Sequence, residues 1–236
     1  MKKTLLGGAM ALALISSGQA ATVGWNFSDL NAAFDTGSLA GTGLTLSDLS
    51  IGNSLGTVGT PVNSTSASSG YTGASGTGNI GNAMRTGSLN TGASGSGYIQ
   101  FTIQTSSSAK VFRLTDLDFG VRSTGTGSQA YALRSSANNY ASDIFTGTIS
   151  NNSSWSLKNN SFSPYEVNAL SGVTFRLYFY NGTGSPGSGT INTRLDDISL
   201  SFVTAVPEPH EYGLALAGMI AALVVIRRRR MANAQA

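Results

Sequence analysis

Eight residues, Val173–Tyr180, alternate apolar side chains with polar or hydroxyl-bearing ones at every step. Successive side chains of a β-strand point to opposite faces, so Val173, Phe175, Leu177 and Phe179 would share one face. A helix of 3.6 residues per turn would spread the same four side chains around its axis. The stretch therefore predicts a β-strand with one face in a core.

Other short runs with strand-like patterns occur along the chain, separated by turn-forming Gly, Asn and Ser residues. They span residues 23–27, 44–51, 98–103, 111–121, 130–134, 144–149 and 195–202. No helical pattern of ten residues or more occurs between Ala21 and Val206. Many short strands joined by turn-rich links predict an all-β fold, an antiparallel β-sandwich of the jelly-roll kind.

One long segment, residues 52–97, is dominated by Gly, Ser and Thr, and its few apolar residues follow no period. So little apolar surface poorly offsets the entropy lost when a chain becomes ordered. We therefore expect long loops at residues 52–97 of the sandwich.

The last predicted strand contains the run Arg194-Leu195-Asp196-Asp197-Ile198-Ser199-Leu200. This run resembles the final strand of many extracellular jelly rolls, including carbohydrate-binding modules, in which two aspartates precede alternating aliphatic residues. The resemblance spans about seven residues. It implies the fold class and specifies no ligand.

At the N-terminus, Lys2 and Lys3 precede an apolar run that ends at Ile15, and the small residues Gly18 and Ala20 follow. A secretory signal peptide typically has a basic start, a short apolar stretch and small residues before its cleavage site. Here that site would follow Ala20. A buried N-terminal helix is the alternative. Removal of residues 1–20 would leave a body of residues 21–205, followed by a tail. The absence of cysteine is compatible with export, since a domain of this size can bury its own core.

The C-terminal tail opens with two closely spaced prolines, which prevent regular helix or central strand there. An uncharged stretch, residues 212–226, predicts a transmembrane helix of about 22 Å. A hydrocarbon core is roughly 30 Å thick, so Tyr212 at one end and snorkelling arginines at the other would make up the difference. The arginines should stay cytoplasmic and leave the body outside. The candidate sorting residues are Pro207, Glu208, Pro209, Arg227, Arg228, Arg229 and Arg230.

This Pro-Glu-Pro box, apolar run and arginine cluster, in that order over residues 206–230, resemble the PEP-CTERM sorting domain of Gram-negative bacteria. The resemblance implies recognition by an exosortase, a membrane-embedded transpeptidase-like enzyme. It also implies release or transfer of the body to the cell surface or an exopolysaccharide matrix. His210 and Glu211 depart from the small residues that many members carry there, so the cleavage point stays open. An uncleaved single-span anchor is the alternative.

The formal net charge of +3 comes from the two ends of the chain. Between Ala21 and Val206, eight basic side chains face nine acidic ones, which leaves a net charge of −1 (8 − 9). Nucleic-acid binding depends on a basic patch that neutralises phosphates, and the body has no such stripe. We therefore expect no nucleic-acid partner.

The body contains few residues that could catalyse a reaction. His210 is the only histidine and lies in the tail, so the body lacks a Ser-His or Cys-His pair and any histidine metal site. A glycan hydrolase would need two carboxylates across a cleft. Asp116 and Asp118 should share a strand face, whereas Asp196 and Asp197, being adjacent, should point to opposite faces.

Oxygen ligands from aspartates offer another role, since calcium accepts irregular shells of carboxylate and carbonyl oxygens. Asp196 or Asp197, together with Asp29 or Asp35, would be the place for such an ion. The chain contains no contiguous calcium-loop motif. No other cofactor is predicted.

Aromatic side chains are the residues of the body that suggest ligand binding. Tyr178 and Tyr180 share the polar face of the predicted strand with Arg176, and Trp25 and Trp155 are the only tryptophans. Rings that stand on a sheet can stack on sugar rings while their polar tips donate hydrogen bonds. Tyr178, Tyr180 and Trp155 are thus candidate glycan contacts. The alternative is that these rings complete the core.

Taken together, these patterns predict an exported, exosortase-processed structural protein of the cell surface or exopolysaccharide, without catalytic activity. Its partners would be signal peptidase, exosortase, the membrane before processing, and exopolysaccharide. The precursor would be anchored in the inner membrane, and the product would lie at the cell surface or in the extracellular matrix. A carbohydrate-binding module is the first alternative, and a carboxylate-dependent glycan hydrolase is the second.

Overall fold

Antiparallel β-strands make up the regular structure of a computed structural model, which describes residues 19–55, 62–85, 87–106, 111–167, 170–183 and 190–205. All of these residues fall in one compact unit, residues 18–205. The strands are β1 (Gln19–Trp25), β2 (Thr36–Gly37), β3 (Leu44–Leu46), β4 (Ser50–Gly52), β5 (Val62–Asn63), β6 (Asn79–Asn82), β7 (Gly97–Thr105), β8 (Val111–Ser123), β9 (Ala130–Ser135), β10 (Phe145–Thr148), β11 (Trp155–Lys158), β12 (Ser161–Val167), β13 (Val173–Tyr180) and β14 (Thr193–Ala205).

Helix is almost missing from these ranges, where a 3-10 helix of three residues, Ser136–Asn138, lies between β9 and β10. None of the described helical structure is long and apolar enough to span a bilayer. Residues 1–18 of the predicted signal peptide and the predicted transmembrane helix at 212–226 lie outside the described residues, whereas Gln19 and Ala20 begin β1.

The larger sheet has eight strands in the order β11-β8-β14-β1-β2, with β12 also paired to β8, β6 to β14 and β5 to β6. Strand β14 pairs with β8 from Thr193 to Ala205, with register shifts after Asp196 and after Ser201. On its other edge β14 pairs with β1 and β6. The final strand of the body is therefore central to this sheet.

The smaller sheet has six strands in the order β10-β9-β13-β7-β3, with β4 also paired to β7. Strand β13 lies in the middle and pairs with β7 on one side and with β9 on the other. Its residues Val173, Phe175, Leu177 and Phe179 are all buried, as the alternation predicts.

The two sheets pack face to face through one hydrophobic core. Aromatic rings cross the interface between them, with centroid distances of 5.1 Å for Phe119 and Tyr131 and 5.9 Å for Trp25 and Phe101. The ring of Phe175 stacks on Phe101 at 5.4 Å. The antiparallel β-sandwich predicted from the sequence is thus confirmed.

The Gly-rich segment is more structured than its composition predicts. Within residues 52–97 the chain forms β5 and β6, and Val62, Ile80 and Met84 are buried in the core. The short strands β11 and β12 also have no clear sequence signal. Pro164 interrupts β12, a position tolerated because β12 pairs with β8 alone and needs no second set of donors.

Replacement of Phe175 by Ala tests how far the sandwich depends on aromatic packing. Phe175 is fully buried against Phe101 and Phe112, so its loss leaves a cavity and should lower the free energy of unfolding by about 3–5 kcal/mol. The matched control is Phe162→Ala, because Phe162 also stacks on a ring, that of Phe145, but is only partly buried. Urea unfolding measures both, and equal losses would contradict this account of the core.

Candidate functional site on the six-stranded sheet

The outer face of the six-stranded sheet combines aromatic and polar side chains. Residues paired across antiparallel strands share a face, and on this sheet Arg176 pairs with Gln100 on one side and Arg134 on the other. Two residues further along β13, Tyr178 pairs with Tyr98. We call this surface the tyrosine–arginine face, and it comprises Tyr98, Gln100, Arg134, Tyr140, Asp143, Arg176, Tyr178 and Tyr180.

The guanidinium group of Arg176 lies between two tyrosine rings. Its Cζ is 4.4 Å from the ring centroid of Tyr98 and 4.2 Å from that of Tyr140, within cation–π range of both. Its Nε donates a hydrogen bond to Gln100 Oε1 at 3.0 Å, and Nη1 donates to Tyr178 Oη at 3.4 Å. Burial alone would lower the pKa of Arg176, but the tyrosine hydroxyls raise it overall, so the group stays charged.

Local backbone geometry places the two rings. After the 3-10 helix, Asn139 and Tyr140 both have left-handed backbone angles, φ 55 and φ 58, which turn the chain back toward the sheet. Arg134 holds this turn, since its Nη1 donates to the Tyr140 carbonyl at 2.9 Å and its Nε to Asp143 Oδ1 at 2.5 Å. The ring of Tyr98 lies over Gly52, where a Cβ would come within 2.0 Å of the ring. A larger residue at position 52 would therefore displace this ring.

The structure limits the contacts that the tyrosine–arginine face can make with a ligand. Tyr178 is completely buried, with Tyr98 and Tyr140 edge-on to its ring at 5.3 and 6.3 Å. The prediction that Tyr178 stacks on a sugar is therefore wrong, because neighbouring rings already cover it. Tyr180 is only partly buried. The face offers mainly hydrogen-bonding edges: a guanidinium group, an amide, phenol hydroxyls and the Arg134–Asp143 ion pair.

The two tryptophans lie elsewhere. Trp25 is fully buried in the core, and its indole nitrogen has no hydrogen-bond partner in the described structure. Trp155 is partly buried on β11 of the opposite sheet, in register with Arg122. The predicted glycan contacts Tyr178, Tyr180 and Trp155 therefore do not form one site.

Asp116 and Asp118 accept hydrogen bonds from two successive residues, Ser161 at the start of β12 and Asn160 just before it. Asp116 Oδ1 accepts a hydrogen bond from Ser161 Oγ at 2.5 Å, and Asp118 Oδ1 accepts one from the Asn160 backbone N–H at 2.7 Å. Burial raises the pKa of Asp118, and the charge of Asp116 raises it further. Both carboxylates therefore fasten β12 to β8, and sequence reasoning correctly placed them on one face.

Asp196 and Asp197 reach the same neighbour, although adjacent strand residues should point to opposite faces. Asp197 has a left-handed backbone, φ 46, at the register shift in β14, and this bulge re-aims its side chain. Ser75 Oγ donates to Asp196 Oδ2 at 3.3 Å, and Ser75 N–H donates to Asp197 Oδ1 and Oδ2 at 3.2 Å. Tyr71 Oη also donates to Asp197, at 2.5 Å. The opposite-face prediction is wrong because of the bulge.

These contacts do not fit the predicted calcium site. N–H and O–H donors occupy the Asp197 oxygens that a cation would need. Asp35 instead accepts hydrogen bonds from the backbone of Asn26 and Ser28, and Asp29 accepts them from Asn31. Within the described ranges, no group of three or more His, Cys, Asp or Glu side chains comes together. The candidate sorting residues of the tail lie outside those ranges.

Comparison with protein families and with curated proteins gives no match to this chain. Solved structures give partial similarities. CpGH89CBM32-5 from Clostridium perfringens, in complex with GalNAc-β-1,3-galactose, is 14% identical over 44% of this chain and 65% of its own length, less than two thirds, with a TM-score of 0.27.

Two further structures match over more of their length. The K1 cleaved adhesin domain of Lys-gingipain from Porphyromonas gingivalis W83 is 15% identical over 76% of this chain and 96% of its own, with a TM-score of 0.33. The family 11 carbohydrate-binding module from Clostridium thermocellum, in complex with a β-1,3-1,4-mixed-linked tetrasaccharide, is 15% identical over 76% and 95%, with a TM-score of 0.29. Similarities this weak assign the chain neither a family nor a ligand.

The buried Asp196 predicts a pH dependence of stability. Burial raises its pKa from 3.8 to about 6, so the folded protein keeps this proton at a pH where the unfolded chain has lost it. The contribution of Asp196 to the free energy of unfolding should therefore fall as pH rises from about 4 to about 6, and then level off. Asp196→Asn cannot ionise, so its stability relative to wild type should rise by up to about 3 kcal/mol between pH 4 and pH 7.

Urea unfolding at both pH values measures this difference. The matched control is Asp48→Asn, which removes an exposed carboxylate and should leave the difference from wild type unchanged between the two pH values. A variant of Asp196 that tracks wild type across this range would show that the carboxylate is not held in the environment described.

Proposed function

We propose that the body, residues 21–205, is a non-catalytic glycan-binding β-sandwich that is exported to the cell surface. The observation that carries this proposal is the tyrosine–arginine face, where Arg176 is fixed between Tyr98 and Tyr140 at 4.4 and 4.2 Å. Its ligand is a neutral, hydroxyl-rich glycan.

The fixed geometry favours binding because little freedom remains to be lost. Two rings and Gln100 already hold the Arg176 side chain, so a ligand does not have to order it. Guanidinium and amide groups donate in fixed planes, while Asp143 and the phenol oxygens accept, which suits the donor and acceptor character of sugar hydroxyls. The partly buried rings of Tyr140 and Tyr180 add apolar edges beside these groups.

A neutral ligand suits this face because its charges are largely balanced within the protein. Arg134 pairs with Asp143 at 2.5 Å, and Arg176 lies against the electron-rich faces of two rings. Catalysis is not part of the proposal, because the only histidine is in the tail and the chain has no cysteine.

Export and sorting complete the proposed function. The signal-peptide pattern of residues 1–20 would direct the chain to signal peptidase, and the tail that resembles a PEP-CTERM domain would direct it to an exosortase. Processing would leave the body at the cell surface or in exopolysaccharide, where glycans that such a face could bind are present.

Affinity electrophoresis of the full chain in detergent, through gels containing neutral polysaccharides, tests glycan binding. Arg176→Met keeps an unbranched side chain between the rings but removes the guanidinium group, so affinity should fall about tenfold, the effect of losing one or two hydrogen bonds to a charged group. Arg113→Met is the matched control, because Arg113 lies on the opposite sheet in an exposed ion pair with Glu166.

Similar retardation of wild type and of Arg113→Met, with clearly weaker retardation of Arg176→Met, would support the proposal. Gln100→Leu, which removes the Arg176 partner and leaves the guanidinium group, should show a smaller loss. Unchanged mobility of every protein relative to a gel without polysaccharide would exclude glycan binding at this face. Thermal melting of each variant confirms that it is folded.

The sorting proposal predicts the mass of the protein at the cell surface. Intact mass spectrometry of surface material should show a chain without residues 1–20 and without most of residues 212–236. Substitution of Glu208 by Ala within the Pro-Glu-Pro box should cause the full tail to be retained. Surface protein with the tail still attached in wild type would instead identify an uncleaved membrane anchor.

A further inference from the structure

Two arginines lie side by side on the outer face of the eight-stranded sheet. Arg122 on β8 and Arg194 on β14 are directly paired in the antiparallel register. Cβ atoms of such pairs are about 4.5–5.5 Å apart, and like charges in this position destabilise a sheet. We call these two residues the basic pair.

The basic pair has no carboxylate partner in the described structure. Ion pairs within 4.0 Å there join Arg113 to Glu166 and Arg134 to Asp143. Of the eleven acidic residues in the chain, only Glu208 and Glu211 lie outside the described ranges, so nine carboxylates were available and none pairs with Arg122 or Arg194. No described carboxylate therefore balances these two charges.

Neutral acceptors hold the two side chains in place. Arg194 Nη1 donates to Asn63 Oδ1 at 3.0 Å and to Asn79 Oδ1 at 2.7 Å, and Nη2 donates to Thr65 Oγ1 at 3.2 Å. Arg122 Nε donates to the Ser153 carbonyl at 2.7 Å, while no described residue accepts from its Nη1 or Nη2. The guanidinium group of Arg194 is therefore fixed, and beside it Arg122 has donors that no described residue uses.

Burial and a neighbouring positive charge both disfavour the charged form of Arg194. Burial lowers the pKa of Arg194, and the neighbouring positive charge of Arg122 lowers it further. The other cross-strand arginine pair, Arg134 with Arg176, has Asp143 on one member and tyrosine rings on the other. An anion bound at the basic pair would supply there what Asp143 supplies on the opposite sheet.

An aromatic residue extends the same row of the sheet. Trp155 on β11 is in register with Arg122 and shares its face, so the cross-strand row reads Trp155, Arg122, Arg194. Trp155 is partly buried and keeps some surface exposed. An indole beside two guanidinium groups suits a ligand with both a ring and an acid group.

We propose that the basic pair and Trp155 form a second binding site, which takes the carboxylate of an acidic polysaccharide, with the sugar ring beside the indole. Arginine donors match a carboxylate in two-point contacts, and apolar sugar faces pack on aromatic rings. A polyphosphate backbone fits less well, because the body has a net charge of −1 and no basic stripe to follow successive phosphates. This site is separate from the tyrosine–arginine face and does not depend on it.

Polygalacturonate and its fully methyl-esterified form are the probes, because they share one backbone and differ in the carboxylate. Full-length protein in detergent should bind the acid and not the ester, more weakly as salt rises. Arg122→Gln should weaken binding about tenfold, since it removes charge-assisted hydrogen bonds. Arg113→Gln is the matched control, because it removes the same charge from the same strand, and it should bind like wild type.

Three outcomes would overturn the proposal: no binding of polygalacturonate, equal loss in Arg122→Gln and Arg113→Gln, or displacement by inorganic phosphate at far lower concentration than by acetate. The last outcome would assign the site to phosphate. Trp155→Ala gives a second readout, since it should weaken binding of polygalacturonate without changing the inhibition constant of acetate. Neutral polysaccharides measured in parallel report on the tyrosine–arginine face, so either proposal can fail alone.

Discussion

The pairing of β14 on both of its edges is the interaction on which the eight-stranded sheet depends. Leu195 and Ile198 both face the core, although a strict period of two cannot place residues three apart on one face. The bulge at Asp197 inserts the extra residue, and Leu200 and Phe202 then continue inward in the usual alternation. The strand thus keeps its apolar face buried on both sides of the bulge, and its two aspartates become available for other contacts.

Those aspartates explain why part of the Gly-rich segment is ordered. Ser68, Tyr71 and Ser75 all donate hydrogen bonds to Asp197, and burial raises the pKa of Tyr71, so its hydroxyl remains a donor at any physiological pH. The Tyr71 hydroxyl lies where a side chain at Gly120 would be, only 2.0 Å from the position of a Cβ. Order in this segment therefore comes from buried polar contacts with β14, a source of stability that apolar composition does not reveal.

The sequence predicted what depends on local alternation and missed what depends on pairing. Strands such as β13 follow from their own residues, because one face must be buried. The two-residue strand β5 has no period to detect and exists because it pairs with β6. Likewise, alternation placed Tyr178 on the outer face correctly but gave no sign that Tyr98 and Tyr140 cover it. The basic pair was equally hidden, since only the register of β8 and β14 brings Arg122 beside Arg194.

The two outer faces differ in how the charges of their arginines are balanced, and this difference bears on the two proposed binding sites. Salt screens charges over about 8 Å at physiological ionic strength, so the basic pair acts on an anion only in direct contact. A single contact of that kind is weak, but a polysaccharide repeats its acid groups and rebinds readily. If both proposed sites are active, one sandwich holds a neutral chain on one sheet and an acidic chain on the other. Under these two proposals, a single domain would cross-link two polymers without an enzyme or a second domain.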